Sequence, residues 1–320
     1  MQNKECINNK QILGNKKRKN NFSLARKRET VFYILCIAVP MIQFAIYYIG
    51  VNFTSFLLAF QKYDSIEMKY QWVGFENFKT MFSQLALKGS ILRESVFTSI
   101  KTYFLGLLVI PFTLLFPFYI YKKMPGSEFF KVMLYLPSIL SAMVLGLLYQ
   151  YFVDQVIPEI ALKEFGKVLP PFLKDVETRY GFAWAFTVFI GFGGNILIYL
   201  SAMSRIPDSL VEYAKLEGCK PFQEFLKITL PIIFPTFATF FVTGVAAFFT
   251  NQLGLFTFFA TDSTDVSTVG YYVYCLVVNS EGYESYPMAS TIGLFFTLII
   301  APLTLFVRWL MNRLDPNVQY

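Results

Sequence analysis

The sequence predicts an all-α, polytopic membrane protein with about six transmembrane helices. Of its 320 residues 55% are hydrophobic and 19% aromatic, with a mean hydropathy of +0.48. The apolar residues gather into runs near 31–60, 95–121, 130–153, 182–203, 226–249 and 288–311. Each reaches the ~20 residues that a helix needs to cross a bilayer. Backbone in hydrocarbon must satisfy its own hydrogen bonds, so runs of this length close as helices rather than open sheets.

The tail of residues 1–28 comes first. Lys16, Lys17, Arg18, Lys19, Arg26, Lys27 and Arg28 precede the first span, which places that end in the cytoplasm. The start of the tail is polar and rich in Asn and Lys, a composition expected to stay disordered, and an amphipathic stub is expected near Phe22 to Glu29. The first apolar run is too long for the core of a cleavable signal peptide. The transmembrane domain covers 29–315, and six crossings return the short end, 316–320, to the cytoplasm. The connection at Lys122 and Lys123 and the loop from Arg205 to Lys227 then lie inside, while the outer loop 250–287 has no Lys or Arg. Outer loops one and two carry several lysines, so charge acts here as a bias. Gly106, Pro111 and Pro117 in span two and Pro137 in span three mark expected kinks.

The net charge of +7 concentrates in the juxtamembrane tail, where topology and attraction to anionic lipid account for it without nucleic acid. Histidine is absent, which removes His-based triads and His-ligated metal sites. Cys6, Cys36, Cys219 and Cys275 have no metal-site spacing, and their placement argues against a disulfide framework. With no phosphate-cradling glycine loop, the chain is expected to catalyse no reaction and to bind no metal or cofactor itself.

The loop between spans four and five is the most informative segment. A short helix is expected to begin at Pro207, whose ring pre-sets a first helical turn. Gly218 ends it by tolerating the left-handed conformation, and Pro221 prevents its continuation. Within EYAKLEGCKPFQEFLKITLPIIFP, the residues Glu212, Ala214, Gly218, Leu230 and Pro231 resemble the EAA loop of permease subunits in ATP-binding-cassette importers. Tyr213, Glu217 and Cys219 depart from the usual Ala, Asp and Ala of that loop. The resemblance extends over about 30–315 and is nearest to the carbohydrate, maltose-permease-like branch. WVGFENF at 72–78, FFKVMLYLPSILSAMVLGLLY at 129–149, and Gly194, Asn195, Ile198 and Tyr199 leading into Arg205, Ile206 and Pro207 carry it further.

The resemblance implies one permease half of an importer, with a second, commonly non-identical permease, two ATPase subunits that hold ATP and Mg, and an external solute-binding protein. The coupling loop is about 204–231. Pro207, Glu212, Ala214, Gly218 and Pro231 form the coupling candidates, with Glu212 either capping free N–H groups or meeting an ATPase cation. The helix inserts into a cleft of the ATPase. Asp262, Asp265, Glu281 and Glu284 in the last outer loop are candidates to meet the binding protein, against a plain solvated loop.

For the substrate path, polar side chains inside spans are the candidates. Asn195 lies among Gly191, Gly193 and Gly194, which permit close helix approach or local unwinding, so it faces either substrate or another helix. Tyr199 stands one turn on. Asn251 and Gln252 contact sugar hydroxyls or cap the end of span five. Lys101 snorkels to headgroups or meets an acidic sugar. Tyr47, Tyr48, Tyr149, Tyr151, Trp184 and Trp309 are expected at the membrane interfaces. The leading reading is therefore a sugar importer subunit in the cell membrane. A permease for another solute and a lipid-linked sugar transferase using Asp208, Glu212, Glu217 and Glu224 stand as alternatives.

Overall fold

The computed structural model describes residues 29–259, 267–279 and 283–316. The basic tail, Asp262, Asp265, Glu281 and the last four residues therefore lie outside the described residues. The chain divides into two compact units, one ending at Leu58 and the other beginning at Ala59. The first contains α1 (Glu29–Leu58), which widens into a π-helical turn over Phe44–Gly50. Its Val, Ile, Phe and Tyr side chains are exposed, the pattern of a helix whose solvent is lipid.

The second unit opens with a hairpin that the all-α expectation did not contain. Strands β1 (Gln61–Asp64) and β2 (Lys69–Trp72) pair antiparallel, Gln61 opposite Trp72. Asp64 Oδ1 accepts the N–H of Ile66 at 2.9 Å, which folds the turn back. Then follows α2 (Glu76–Ala86), whose buried Asn77 donates to the carbonyls of Ala59 at 3.0 Å and Gln61 at 2.7 Å. The Asn of WVGFENF thus pins the hairpin to the helix that follows it.

The remaining helices are α3 (Ile91–Tyr121), α4 (Ser127–Ile139), α5 (Ala142–Phe165), α6 (Arg179–Met203), α7 (Asp208–Leu216), α8 (Pro221–Ala246), α9 (Leu255–Phe259), α10 (Val269–Val278) and α11 (Tyr286–Leu314). Among the described residues, α1, α3, α6, α8 and α11 are long and apolar enough to cross a membrane. The expected third span, 130–153, is instead a broken pair, α4 and α5, bent by 100°. Pro137 removes an N–H and crowds the preceding turn, and Leu140 and Ser141 are extended (ψ 153° and 129°). With that pair counted as one crossing the total is six. Pro111 and Pro117 lie within a continuous α3.

Two prolines are accommodated by another device. A five-residue π turn, Phe152–Val156 in α5 and Phe225–Thr229 in α8, precedes each of the pairs Ile157–Pro158 and Leu230–Pro231. Widening the helix at that point relieves the clash between the proline ring and the carbonyl four residues back. The α-helical turns of α8 resume at Leu230, within a helix that begins at Pro221 and runs through both residues.

Three apolar cores hold the second unit together. One joins Phe186 of α6 to Val153, Leu255, Phe258 and Tyr271. A second gathers Leu114 and Phe118 of α3, Tyr199 and Met203 of α6, and Phe225 and Ile233 of α8. The third packs Met81 and Leu92 on Val269, Ile292 and Phe296. At Gly146 the packing leaves no room for a side chain, since an added Cβ would collide with Cγ2 of Thr257 on α9. The N-terminus of α10 is capped from two sides. Thr268 accepts the N–H of Tyr271 at 3.3 Å, and Ser99 of α3 accepts that of Val269 at 3.0 Å.

Candidate functional site

Two features of the second unit answer to the sequence-predicted site residues. The first is α7, suspended between α6 and α8. Its helix starts one residue later than expected, because Pro207 is extended (φ −60°, ψ 133°) and serves as the flanking residue. At the other end Gly218 has φ +70°, its N–H bonds to Lys215 O at 3.1 Å, and Cys219 N–H bonds to Ala214 O at 2.9 Å. This nested pair of bonds satisfies two of the last carbonyls of the helix and reverses the chain. A new helix starts at once, with Pro221 in its first turn and Gln223 Oε1 accepting the Lys220 N–H at 3.1 Å.

Ala214 is buried against the bundle, whereas Tyr213 is 63% and Leu216 86% exposed. Val211 packs on the core around Phe118 and Phe225. One side of α7 is therefore anchored, and the other offers apolar surface outward. Glu212 caps nothing. It is the fifth residue of the helix, beyond the free N–H groups of the first turn, and it is exposed with no partner among the described residues.

The second feature is a cavity of about 350 Å³ bounded by α3, α6 and α8. Asn195, Tyr199 and Asn251 all line it. Gln252 and Lys101 do not. Asn251 Oδ1 accepts the N–H of Leu253 at 2.9 Å, which shapes the turn after α8. Lys101 is exposed, and Gln252 supplies a carbonyl to Leu255 N–H at 3.0 Å. The glycines around Asn195 produce no unwinding, since α6 is continuous from Arg179 to Met203. A Cβ at Gly191 or Gly194 would meet nothing within 4 Å; Gly191 opens the cavity rather than admitting a neighbouring helix.

Sequence reasoning missed several wall residues. Tyr103, Phe237, Phe240, Phe241 and Phe248 contribute ring faces, and Trp184, expected in an interfacial belt, lines the cavity too. Thr102, Thr113 and Thr187 add hydroxyls. The Thr187 hydroxyl donates within the wall to Leu253 O at 2.9 Å. Among the described residues the lining has no Asp, Glu, Lys or Arg. Such a surface stacks on flat apolar faces and exchanges hydrogen bonds with neutral hydroxyls, and it offers no counter-charge to an ion.

At the opposite end of the bundle from α7, Ser65 in the hairpin turn donates to Glu284, and Tyr70 Oη donates to Tyr283 O at 3.4 Å. Glu284 is thus engaged within the chain. Partial burial raises the Tyr70 phenol above its ordinary value, assisted by neighbouring tyrosines.

Five to six apolar spans among the described residues, with an uncharged cavity bounded by α3, α6 and α8 and a loop-borne helix, define a polytopic membrane transport component. The chain belongs to the binding-protein-dependent transport system inner membrane component family, whose model matches residues 124–320. It is 22% identical over 266 residues to the multiple sugar-binding transport system permease protein MsmF of Streptococcus mutans, covering 82% of this chain and 89% of that protein. It is also 22% identical over 244 residues to the maltose/maltodextrin transport system permease protein MalF of Escherichia coli K12. That match covers 72% of this chain but 48% of MalF, so the chain spans about half of that relative. The fold matches a bacterial ABC transporter involved in import of the acidic polysaccharide alginate, with a TM-score of 0.73 at 21% identity, covering 90% of this chain and 96% of that one. A second structure of a bacterial alginate ABC transporter, in complex with an alginate pentasaccharide-bound periplasmic protein, gives 0.74 at 21% identity over 91% and 96%.

Proposed function

We propose that this chain is one permease half of an ATP-driven importer that carries a neutral sugar or oligosaccharide from an external solute-binding protein into the cytoplasm. The observation that carries this reading is α7, a rigid helix anchored through Ala214 and Val211 that presents Tyr213 and Leu216 outward from the end of the bundle. A partner seated on that face moves the helix with it. The partner is an ATPase subunit, which holds the ATP and Mg that this chain does not bind. Lys122, Lys123, Arg205, Lys215, Lys220 and Lys227 gather toward the same end of the bundle, which supports a cytoplasmic location for it.

Transport by alternating access requires that the binding protein and ATP favour a different state from ADP, because only differential affinity shifts a population. A second, related permease completes the path opposite the cavity. Sugar as substrate is supported by the named roles of MsmF and MalF and by the aromatic, hydroxyl and amide lining. Neutrality is supported by the absence of charge among the described lining residues. A carboxylate stripped of water without a cation costs several kcal/mol.

The test is ATP hydrolysis by the purified complex, reconstituted with its binding protein and challenged with neutral oligosaccharides and with oligomers of uronic acids. Neutral oligosaccharides are expected to stimulate it. Stimulation by uronates alone removes the neutral assignment, and a preparation in which no ATPase accompanies the chain removes the importer.

A further inference from the structure

Beside the base of α7 lies a buried charged pair. Lys122, at the end of α3, reaches Glu224 in the first turns of α8 with Nζ 2.5 Å from Oε1. Their side chains are only 13% and 4% exposed. The ammonium also sits 5.9 Å from the centre of the Phe118 ring, which in turn lies 5.1 Å from that of Phe225. Val211 of α7 packs into the same apolar core.

The position of this joint is informative. Away from it, α3 and α8 stand apart as two walls of the cavity, with residues such as Tyr103 and Thr113 on one and Phe237 and Phe240 on the other. Tyr103 meets Phe248 at the far end, ring centres 4.5 Å apart, and the Lys122–Glu224 pair joins the two helices at the other end, beyond the Phe118–Phe225 contact. Stability alone does not call for charges there, since apolar side chains of similar volume hold a buried joint at least as well. A buried ion pair does differ from an apolar contact in one respect: sliding one helix past the other beyond the reach of the lysine stem leaves two buried charges without compensation. The two helices must then shift together.

We propose that Lys122 and Glu224 are positioning residues that tie α3 to the base of the loop helix, so that a displacement of α7 reaches the cavity wall. This rests on the transport reading above. The pair acts through the helices it joins and touches no solute.

The experiment places a reporter, Thr113→Cys on α3, in the assembled complex, with Cys6, Cys36, Cys219 and Cys275 replaced by Ser. Maleimide labelling rates are compared between the nucleotide-free and ATP-vanadate-trapped states, which needs no knowledge of the solute. With the pair intact the two rates differ by about tenfold, within the usual span of allosteric couplings. Lys122→Met and Glu224→Gln each reduce the difference to below about twofold while ATP hydrolysis persists, and the exchange Lys122→Glu with Glu224→Lys restores it. The proposal is overturned if the single variants keep the full difference, or if the exchange fails to restore it. Where the single variants do not assemble, Lys122→Met with Glu224→Met leaves no lone buried charge and replaces them; a full difference in that variant overturns the proposal, and a lost one supports it. A complex with the native pair whose labelling ignores nucleotide refutes the transport reading itself.

Discussion

Gly218 offers the sharpest test of how α7 is built. Its φ of +70° lies in the left-handed region, yet a Cβ added there would meet nothing within 4 Å. The constraint is therefore conformational and not one of space. An L-residue in this region costs roughly 1–2 kcal/mol, and Asn pays less of it than Ala. Proline adds a second loss, because its φ is locked near −65° and the Gly218 N–H bond to Lys215 O disappears, for a total above about 3 kcal/mol. The expected order of damage is Gly218→Asn, then Gly218→Ala, then Gly218→Pro. A steric limit would invert the first two, since Asn is larger than Ala. Amide hydrogen exchange of residues 212–219 in the assembled complex reads the local opening equilibrium directly. Gly218→Ala is expected to speed exchange by about 5–30-fold, the equivalent of 1–2 kcal/mol. If Gly218→Asn exchanges faster than Gly218→Ala, or if neither differs from Gly218, the argument from backbone conformation is wrong.

Lys123 has φ +51° after the end of α3 without being glycine, so Lys123→Gly should stabilise the protein by about 1 kcal/mol, seen as a rise in thermal midpoint in detergent. Ser99→Ala leaves the buried N–H of Val269 without its acceptor and should cost about 1–3 kcal/mol, with faster amide exchange confined first to the start of α10. Gly146→Ala drives a methyl into Thr257 and should cost about 1–3 kcal/mol, of which Thr257→Ala recovers most; a double variant as unstable as the single places the clash elsewhere.

The sequence carried the architecture well because lipid permits so few solutions. Long apolar runs had to be helices, and their polar flanks simply added a turn at the ends, as at Arg179–Met203 against the expected 182–203. The reversal at Gly218 was legible because only one residue type adopts that conformation cheaply. The break between α4 and α5 was half legible: Pro137 marked the place, but a missing N–H does not specify how far the next helix turns away. How the chain accommodates Leu230–Pro231 was not legible for a related reason. A proline can open a helix or sit inside one behind a widened turn, and local sequence does not decide between them.

The candidate site divides along the same line. By itself the sequence determined that the chain crosses a membrane as helices and carries a capped helix on one loop, because periodicity, length and backbone conformation are local properties. It also brought Asn195, Tyr199 and Asn251 forward as polar residues in apolar surroundings, where their cost draws attention. Only the tertiary structure decided that these three share a cavity, that Lys101 and Gln252 stay off its lining, and that Trp184 joins it. It alone also brought Lys122 to Glu224 across 102 positions of chain. A lysine after a span reads as a topology signal and a glutamate in a loop as a solvated charge; their burial against each other follows from how α3 and α8 converge, and no local rule encodes that convergence.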